Sequence, residues 1–432
     1  MDFDGYCFRA CCQRVVDDFF ERHKGYELGY GVQVARWRFL YRQGGRIPQR
    51  HSGVADDSGC LHVAWPSRLG AGGFLSQRIF DKRFAAGLCG ASGFRRPVWC
   101  AEYCVWCLWF YGDDKSYELA NTVMGTYVKQ TVYSKDGQAI CDETIKQVAK
   151  LENCLSCRKR GSEINNLNSN AGGIGWVDVN DTTLSILLSC KDVYEKSEGA
   201  YDPTMLELYS LWGFDTKSPR VPSDGEIKSA LKKVDGDALR INADVNRAKI
   251  FNRGIGVDLR GVQKGAACQL ATKVYQRLKA NAAIVSIGDV VGVYGTKRDG
   301  KPWNIALRDQ LSSEEKNKSF AAIKIKEGFV SSVGVNNDSF TKNEKTYVGV
   351  LDPHTGYPID GDMVSVSVWH TDGVVANALA NVCFVIGKDK ALSILEKYNA
   401  QAIFVYKDKT CFATSGIDKD FVLTDSSYKK IS

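Results

Sequence analysis

Three short segments of this chain combine glycine, proline and ionisable side chains in turns. They lie at 199–204 (GAYDPT), 258–265 (DLRGVQKG) and 351–358 (LDPHTGYP). Glycine adopts backbone conformations that other residues resist, proline fixes a bend, and aspartate places a carboxylate at the rim of the turn. One such turn is common, but three of them separated by periodic segments are not. We therefore expect distant loops to build a single polar pocket.

The composition excludes several classes of protein. At 432 residues, with 44% hydrophobic and 25% charged residues, the chain resembles globular domains and has ample mass for a core. The net charge of +7 is spread out, without the basic runs of nucleic-acid-binding tails. The sequence contains no apolar run of about 18 residues, so no membrane span is predicted. The first residues have neither a basic nor an apolar region, so no signal peptide is predicted.

The chain divides into two stretches of different composition. Residues 1–115 hold 13 arginines but only 3 lysines, whereas residues 116–432 hold 10 arginines and 31 lysines. Eight of the 15 cysteines and five of the nine tryptophans also fall in the first stretch, which shows little helical or strand periodicity. This change favours a disordered extension or a mis-assigned start over a genuine extra domain. We therefore expect one folded domain, over 116–432.

Alternating and helical apolar patterns cover most of the second stretch. Strands are predicted at 126–133, 283–287, 303–307, 321–325, 364–369 and 402–406. Helices are predicted at 143–155, 184–194, 227–234, 265–278, 374–386 and 390–398. Asp142 is a cap candidate for the first helix, a Ser223–Glu226 capping box precedes the third, and Trp212 and Trp303 are predicted to fill the core. Because strands and helices mix without strict alternation, the predicted fold class is α+β.

Seven segments, taken in order and spacing, resemble one protein family. The resemblance is to the FAD:protein FMN transferases of the ApbE type, and it covers about residues 117–423. It implies a mixed α/β ApbE-like domain whose members split FAD, transfer FMN to a Ser or Thr hydroxyl of an acceptor protein, and release AMP. It also implies a divalent cation, normally Mg²⁺. The segments are Met124-Gly-Thr126, Gly161-Ser-Glu-Ile-Asn-Asn-Leu-Asn168, Ser197-Glu-Gly-Ala-Tyr-Asp-Pro-Thr204, Leu211-Trp-Gly-Phe214, 258–265, Asp299-Gly-Lys-Pro-Trp303 and 351–358.

The resemblance also implies which residues contact FAD. Asp202 and Asp258 are suited to hydrogen-bond ring edges or ribose hydroxyls, and Lys264 can place a positive charge near phosphate. Asp258 and Lys264 are the candidate catalytic residues. Each has a structural alternative: Asp202 could start a turn, Asp258 could cap a helix near Val262, and Lys264 could lie in solvent. The implied FAD contacts are Met124, Arg158, Ala200, Tyr201, Asp202, Asp258, Lys264 and Leu351.

The metal site that the resemblance implies is altered. Its positions match the backbone carbonyl of Gly261 and the side chains of Asn377 and Asn381, where the family has a carboxylate and a Thr or Asp. A spacing of four keeps both side chains on one helix face. Neutral amide oxygens bind Mg²⁺ less well than carboxylates, so we expect weaker binding, with the cation held through the FAD diphosphate. The alternative is that both asparagines simply lie on an exposed helix face.

Five other positions depart from the family pattern. Arg158 replaces an aromatic residue, Asp289 and Arg260 each replace a glycine, Val290 replaces a polar residue, and Gly349 replaces a histidine. Arg158 could still stack on a ring. Arg260 could supply positive charge to phosphate or could block the pocket. His354 is the nearest substitute base by position.

These substitutions leave three functional hypotheses open. The first is an active but weakened flavin transferase. The second is a pseudo-enzyme of the same fold that binds flavin, or an acceptor protein, without turnover. The third is an Fe–S protein of the radical S-adenosylmethionine type, because Cys100, Cys104 and Cys107 have Cys-x3-Cys-x2-Cys spacing. Metal-dependent release of AMP from FAD separates the first two hypotheses.

Partners and location follow from the resemblance. It implies FAD and an acceptor protein as partners, and tethering at the outer face of the cytoplasmic membrane, in the cell envelope. No signal peptide accompanies that expectation, and no nucleic acid is expected as a partner. Several of the seven cysteines of residues 116–432 are predicted to be small core residues rather than disulfide partners.

Overall fold

The computed structural model describes residues 116–297, 299–312 and 318–431. The Arg-rich stretch 1–115, with its cysteine motif at 100–107, lies outside the described residues, so the hypotheses about it stay predictions. Within the described ranges, helices and strands mix as expected, and the α+β class is confirmed. None of the helices there is both long and apolar enough to span a bilayer.

In the part of the chain that the structure describes, eight α-helices carry most of the predicted apolar stripes. They are α1 Gly137–Leu155, α2 Glu163–Ser169, α3 Asp181–Lys196, α4 Leu206–Trp212, α5 Asp224–Leu231, α6 Gln263–Arg277, α7 Gly373–Ile386 and α8 Lys388–Lys397. The capping box before α5 is confirmed, since Ser223 and Glu226 bond reciprocally. Asp142 as the first helix cap is wrong: α1 begins two turns earlier, after Asp136, because Ile140 and Cys141 extend its buried face.

Within the described ranges, nine strands form one large sheet. In spatial order these strands are β1 Ser116–Val123, β2 Thr126–Tyr133, β6 Ala282–Ile287, β7 Val290–Gly295, β10 Gly328–Gly334, β13 Met363–His370, β14 Gln401–Tyr406, β15 Thr410–Ala413 and β17 Lys429–Ile431. All neighbours are antiparallel except β15 and β17. The sequence did not predict β1, β7 or β10, because exposed polar residues or glycines interrupt their alternation.

Smaller sheets complete the domain. One has the order β16 Phe421–Leu423, β9 Ser319–Ile325 and β8 Trp303–Arg308. The second has the order β3 Val177–Asp178, β5 Arg247–Ile250 and β4 Leu239–Asn242, and a hairpin joins β11 Phe340–Lys342 to β12 Lys345–Tyr347.

The apolar residues form three clusters. The largest packs α1, α6 and α7 against the large sheet, and the second lies between that sheet and β8–β9. A third surrounds Trp212, which is 1% exposed and donates from Nε1 to Gly356 O at 2.9 Å. Trp303 is also buried, so the prediction that both tryptophans fill the core is confirmed. The bond from Trp212 fastens α4 to the 351–358 turn and so helps to position that turn.

Candidate active site

The three glycine- and aspartate-containing turns meet around one cleft. Asp258 N donates to Pro203 O at 2.8 Å, which joins the first two turns. Leu351 and Pro358 form a bridge that closes the third turn on itself. The cleft is partly open to solvent, and its free volume is about 20 Å³. Its lining residues are Ala200, Tyr201, Asp202, Met205, Tyr209, Asp258, Arg260, Gly261, Val350, Leu351, Pro353, Asn381 and Val385.

Tight packing explains two glycines of the second turn. A Cβ on Gly261 would lie 3.0 Å from Cε2 of Tyr201, and a Cβ on Gly265 would lie 2.0 Å from Gly373 O. The start of α6 therefore packs directly on the start of α7. The Gly265 amide donates to Asn377 Oδ1 at 3.1 Å across this contact. A side chain at 265 would force apart the two helices that meet there, whereas a side chain at 261 would press against the Tyr201 ring.

Asp202 lines the cleft, but its carboxylate is bonded within the protein. Oδ1 accepts hydrogen bonds from Thr204 N at 2.7 Å and from the Thr204 hydroxyl at 2.5 Å. Oδ2 accepts from Gly236 N at 3.0 Å. Burial raises the pKa of Asp202, and the bonds from Thr204 partly oppose that rise. The geometry is that of a turn-forming aspartate, which was the structural alternative to direct contact with FAD.

Asp258 is one member of a buried ion-pair cluster. Its Oδ2 accepts from Arg260 Nε at 3.0 Å and from Arg260 Nη2 at 2.8 Å, and its Oδ1 accepts from Arg260 N at 2.9 Å. The guanidinium of Arg260 lies 4.0 Å from the centre of the Tyr209 ring. The helix-capping alternative is wrong, because the cap of α6 has no side-chain hydrogen bond. Asp258 instead fixes the side chain of Arg260 in the cleft.

A second carboxylate extends this cluster toward Arg158. Asp215 Oδ2 lies 3.3 Å from Arg260 Nη2 and 2.5 Å from Arg158 Nη2. The side chain of Arg158 is 52% exposed, and it is paired with Asp215 instead of stacking on a ring of the protein. Burial acts to lower the pKa of Arg260, but the Asp258 carboxylate outweighs it and the pKa is raised. Arg260 therefore stays charged at every working pH.

Lys264 and Met124 lie beside the cleft rather than in its lining. Lys264 Nζ pairs with Asp289 Oδ2 at 2.9 Å, and Asn337 Nδ2 donates to the same oxygen at 2.9 Å. The solvated-surface alternative is wrong, because Lys264 is half-buried and paired. A Cβ on Gly288 would lie 3.1 Å from the Lys264 side chain.

The β1–β2 hairpin turn borders this second group. Met124 and Gly125 have φ of 56° and 67°, which fits the turn expected of a two-residue hairpin but is uncommon for methionine. The Met124 amide donates to Glu152 Oε2 at 3.1 Å. Thr126 Oγ1 would lie 3.0 Å from a Cβ on Gly288, the residue that also touches Lys264. The hairpin, Lys264 and Asp289 therefore share one side of the site.

The position of the replaced histidine, Gly349, and the substitute base His354 lie in different surroundings. Gly349 packs against the backbone of the preceding loop, where a Cβ would lie 2.7 Å from Asp338 O. A histidine therefore does not fit at 349 in this conformation. His354 is exposed, its amide donates to Asp352 Oδ1 at 2.8 Å, and its ring lies beside Gly199, outside the cleft lining. The structure supplies no imidazole to the cleft from these two positions.

Comparison with known proteins decides the family. The model of the ApbE family matches residues 124–404, which is more than half of the chain. The chain belongs to the ApbE family. Its relatives include the FAD:protein FMN transferase of Treponema pallidum, 28% identical over 70% of this chain and 88% of the relative. The Haemophilus influenzae FAD:protein FMN transferase is 26% identical over 74% and 92%.

Solved structures of ApbE proteins share this fold. The Thermotoga maritima ApbE protein is 27% identical with a TM-score of 0.65, over 70% of this chain and 98% of that one. The apo flavinyl transferase ApbE of Pseudomonas stutzeri is 23% identical with a TM-score of 0.62, over 71% and 97%. In each case nearly the whole solved chain aligns.

The residues of this ApbE chain do not fit the divalent cation that the resemblance implies. Asn381 Nδ2 donates to the Gly261 carbonyl at 3.2 Å, so that carbonyl faces an amide hydrogen. Asn377 is 6% exposed, its Oδ1 accepts from Gly265 N, and its Nδ2 donates to Ser331 Oγ at 3.1 Å. The exposed-face alternative is therefore wrong for Asn377. Mg²⁺ favours carboxylates, and this set offers none. The described residues also contain no group of three His, Cys, Asp or Glu that could hold a metal ion.

Two residues of this site were missed from the sequence. Tyr209 stacks on Arg260, and Asp215 joins Arg260 to Arg158. Asp215 directly follows the Leu211–Phe214 motif (LWGF) that carries the resemblance, so that motif was an available signal. Tyr209 had no such signal, because a tyrosine on an amphipathic helix usually indicates core. Burial raises its pKa to about 12, so the phenol stays protonated.

Proposed function

We propose that this chain is an FAD:protein FMN transferase, which moves FMN from FAD to a Ser or Thr hydroxyl of an acceptor protein and releases AMP. The observation that carries the proposal is the cleft of the three turns, in which Asp258 lies 2% exposed beside Arg260 in an ApbE-family chain. Curated relatives that align over most of their length are named FAD:protein FMN transferases. An envelope location belongs to the same proposal and has no support beyond the resemblance.

The residues suit binding and orientation of a dinucleotide. Ala200, Tyr201 and Leu351 give the cleft an apolar wall, and the Arg260 guanidinium gives it a fixed positive charge. Attack of a hydroxyl on a diphosphate needs that charge, an in-line approach and exclusion of water. Lys264 can add a second positive charge once it leaves Asp289.

A transfer assay on the full chain tests the proposal. The protein is incubated with FAD and a peptide that carries Ser and Thr, with Mg²⁺ in one sample and EDTA in the other. We expect AMP on chromatography and flavin fluorescence of the peptide in a denaturing gel. Asp258→Ala should abolish both signals, whereas Asp389→Ala, which removes an exposed carboxylate of α8, should change neither. AMP release that survives Asp258→Ala would contradict the assignment of this cleft.

A second candidate function is flavin binding without turnover. It is favoured by the pairing of the charged groups, since Asp258 is bonded to Arg260, and Lys264 is paired with Asp289. A positive charge already neutralised by a carboxylate stabilises a developing phosphate charge less. FAD binding measured by fluorescence, together with no AMP under either condition, would assign the chain to this second function.

A further inference from the structure

Arg260 has an anchored guanidinium with one free edge. Two of its nitrogens, Nε and Nη2, donate to Asp258 and Asp215, and its plane lies over Tyr209. Among the residues that the structure describes, Nη1 has no hydrogen-bond partner. The side chain is only 23% exposed, and it lines the cleft. An arginine held in this way keeps the two N–H donors of Nη1 in a fixed orientation, where they can bind phosphate oxygens.

At the metal position that the resemblance implies, the side-chain amides of Asn377 and Asn381 are already hydrogen-bonded within the protein. Asn381 Nδ2 donates to the Gly261 carbonyl at 3.2 Å and to Asn377 O at 2.9 Å. The Asn377 amide is bonded on both sides, to Gly265 and to Ser331. A cation at this point would have to displace these bonds and would find only neutral oxygens.

These two observations concern adjacent residues of the same turn. Arg260 and Gly261 are consecutive, and both line the cleft with Asn381. Arg158 supports the cluster from outside, because it shares Asp215 with Arg260. The cleft therefore carries a permanent positive charge on the residue that precedes Gly261, where Asn377 and Asn381 offer a divalent ion no carboxylate.

We propose that Arg260 binds the diphosphate of the ligand in place of a protein-held divalent cation, so that FAD binding to this chain does not depend on Mg²⁺. This inference rests on the proposed function. In this proposal Arg260 orients the phosphates by direct contact. The same role accounts for an arginine at the position where the resemblance implies a glycine.

Binding of three flavins in the presence and absence of metal tests the proposal. FAD, FMN and riboflavin are titrated into the full chain with flavin fluorescence as the readout, in EDTA and in millimolar Mg²⁺. We expect the dissociation constant for FAD to agree within about twofold between the two conditions. Riboflavin, which lacks phosphate, should bind more weakly than FMN and FAD.

Variants of Arg260 identify the residue that is responsible. Arg260→Gln should weaken FAD binding about 10- to 100-fold, which is the effect of losing a charged hydrogen bond, and should leave riboflavin binding nearly unchanged. Arg260→Lys should restore part of the loss, and melting curves establish that both variants fold. Arg260→Gly removes the side chain and so tests whether Arg260 blocks the cleft.

Three results would overturn the inference in different ways. Tighter FAD binding by Arg260→Gly would show that the arginine blocks the cleft. FAD binding that requires Mg²⁺ would show that a cation is still used, and it would leave the proposed function intact. No FAD binding under any condition would remove the proposed function and this inference with it.

Discussion

Gly265→Ala is expected to destabilise the protein although alanine is the better helix former. The new Cβ would lie 2.0 Å from Gly373 O, 2.7 Å from Gly373 C and 2.8 Å from the Asn377 Cβ. The first two atoms belong to the backbone of α7 and cannot rotate away as a flexible side chain can. The reverse contact is equally tight, since a Cβ on Gly373 would lie 2.5 Å from Gly265 O. The starts of α6 and α7 must therefore move apart.

Two opposing effects set the size of the change. Alanine stabilises a helix interior over glycine by about 1 kcal/mol. Overpacking a close contact costs about 1–3 kcal/mol. Separating the helices also breaks the buried hydrogen bond from Gly265 N to Asn377, which costs about 1–3 kcal/mol. The steric and hydrogen-bond costs together exceed the helix propensity, and we expect a net loss of about 2–4 kcal/mol.

Urea denaturation of the full chain, followed by circular dichroism, measures this loss. Gly225→Ala is the matched control, because Gly225 lies on α5 and a Cβ there would have no atom within 4 Å. We expect the control to raise the free energy of unfolding by about 0.5–1 kcal/mol. Gly265→Ala should also weaken FAD binding, because Gly261 and Lys264 lie on the displaced segment. A Gly265→Ala protein as stable as the wild type would refute the reasoning.

Other substitutions test the remaining parts of the structure. Asp202→Ala should lower the free energy of unfolding by about 2–4 kcal/mol, because three buried donors lose their acceptor; an unchanged urea midpoint would contradict this. Ser223→Ala should cost about 1 kcal/mol at neutral pH. The pKa of Glu226 is lowered to about 2 by Arg220 and Ser223, so its stabilisation is present above its ordinary pKa and is lost as the pH falls through about 2. In urea titrations the difference between the two proteins should therefore be smaller at pH 2 than at pH 7, and the part that remains comes from the hydrogen bond that Ser223 Oγ accepts from Glu226 N. Iodoacetamide at pH 8 should label Cys154 and Cys157 slowly, and it should label the buried Cys268 only after unfolding. Peptide mass spectrometry measures the labelling. Rapid labelling of Cys268 in the folded protein would show that its helix is not packed.

A restored metal site provides a complementary prediction. Asn377→Asp with Asn381→Thr introduces the residue types that the resemblance implies at these positions. We expect Mg²⁺ to raise the melting temperature of this double variant but not that of the wild type, because only the variant offers a carboxylate. Equal stabilisation of both proteins by Mg²⁺ would show that the asparagines already support a cation.

The sequence determined the elements whose information is local. The capping box before α5 needs only residues three apart, and the alternation of β2 and the stripes of α6 and α7 are read within one segment. The three turns are recognisable for the same reason, since glycine, proline and aspartate act on their own backbone. Family membership also follows, because the order and spacing of these segments are properties of the chain itself. Strands such as β10 were missed, because their burial depends on both neighbouring strands and on α7.

Only the tertiary structure decided how the charges of the site pair. Arg260 meets Asp215 across 45 residues, Lys264 meets Asp289 across 25, and Asn381 reaches the Gly261 carbonyl across 120. No local pattern encodes such partners, because each pair forms only when separate loops and helices are packed together. Burial strengthens these interactions by removing water, so the partners determine which groups remain free for a ligand. The residue types of the cleft were therefore available from the sequence, whereas the free edge of Arg260 and the closed amide pair at Gly261 depend on the fold.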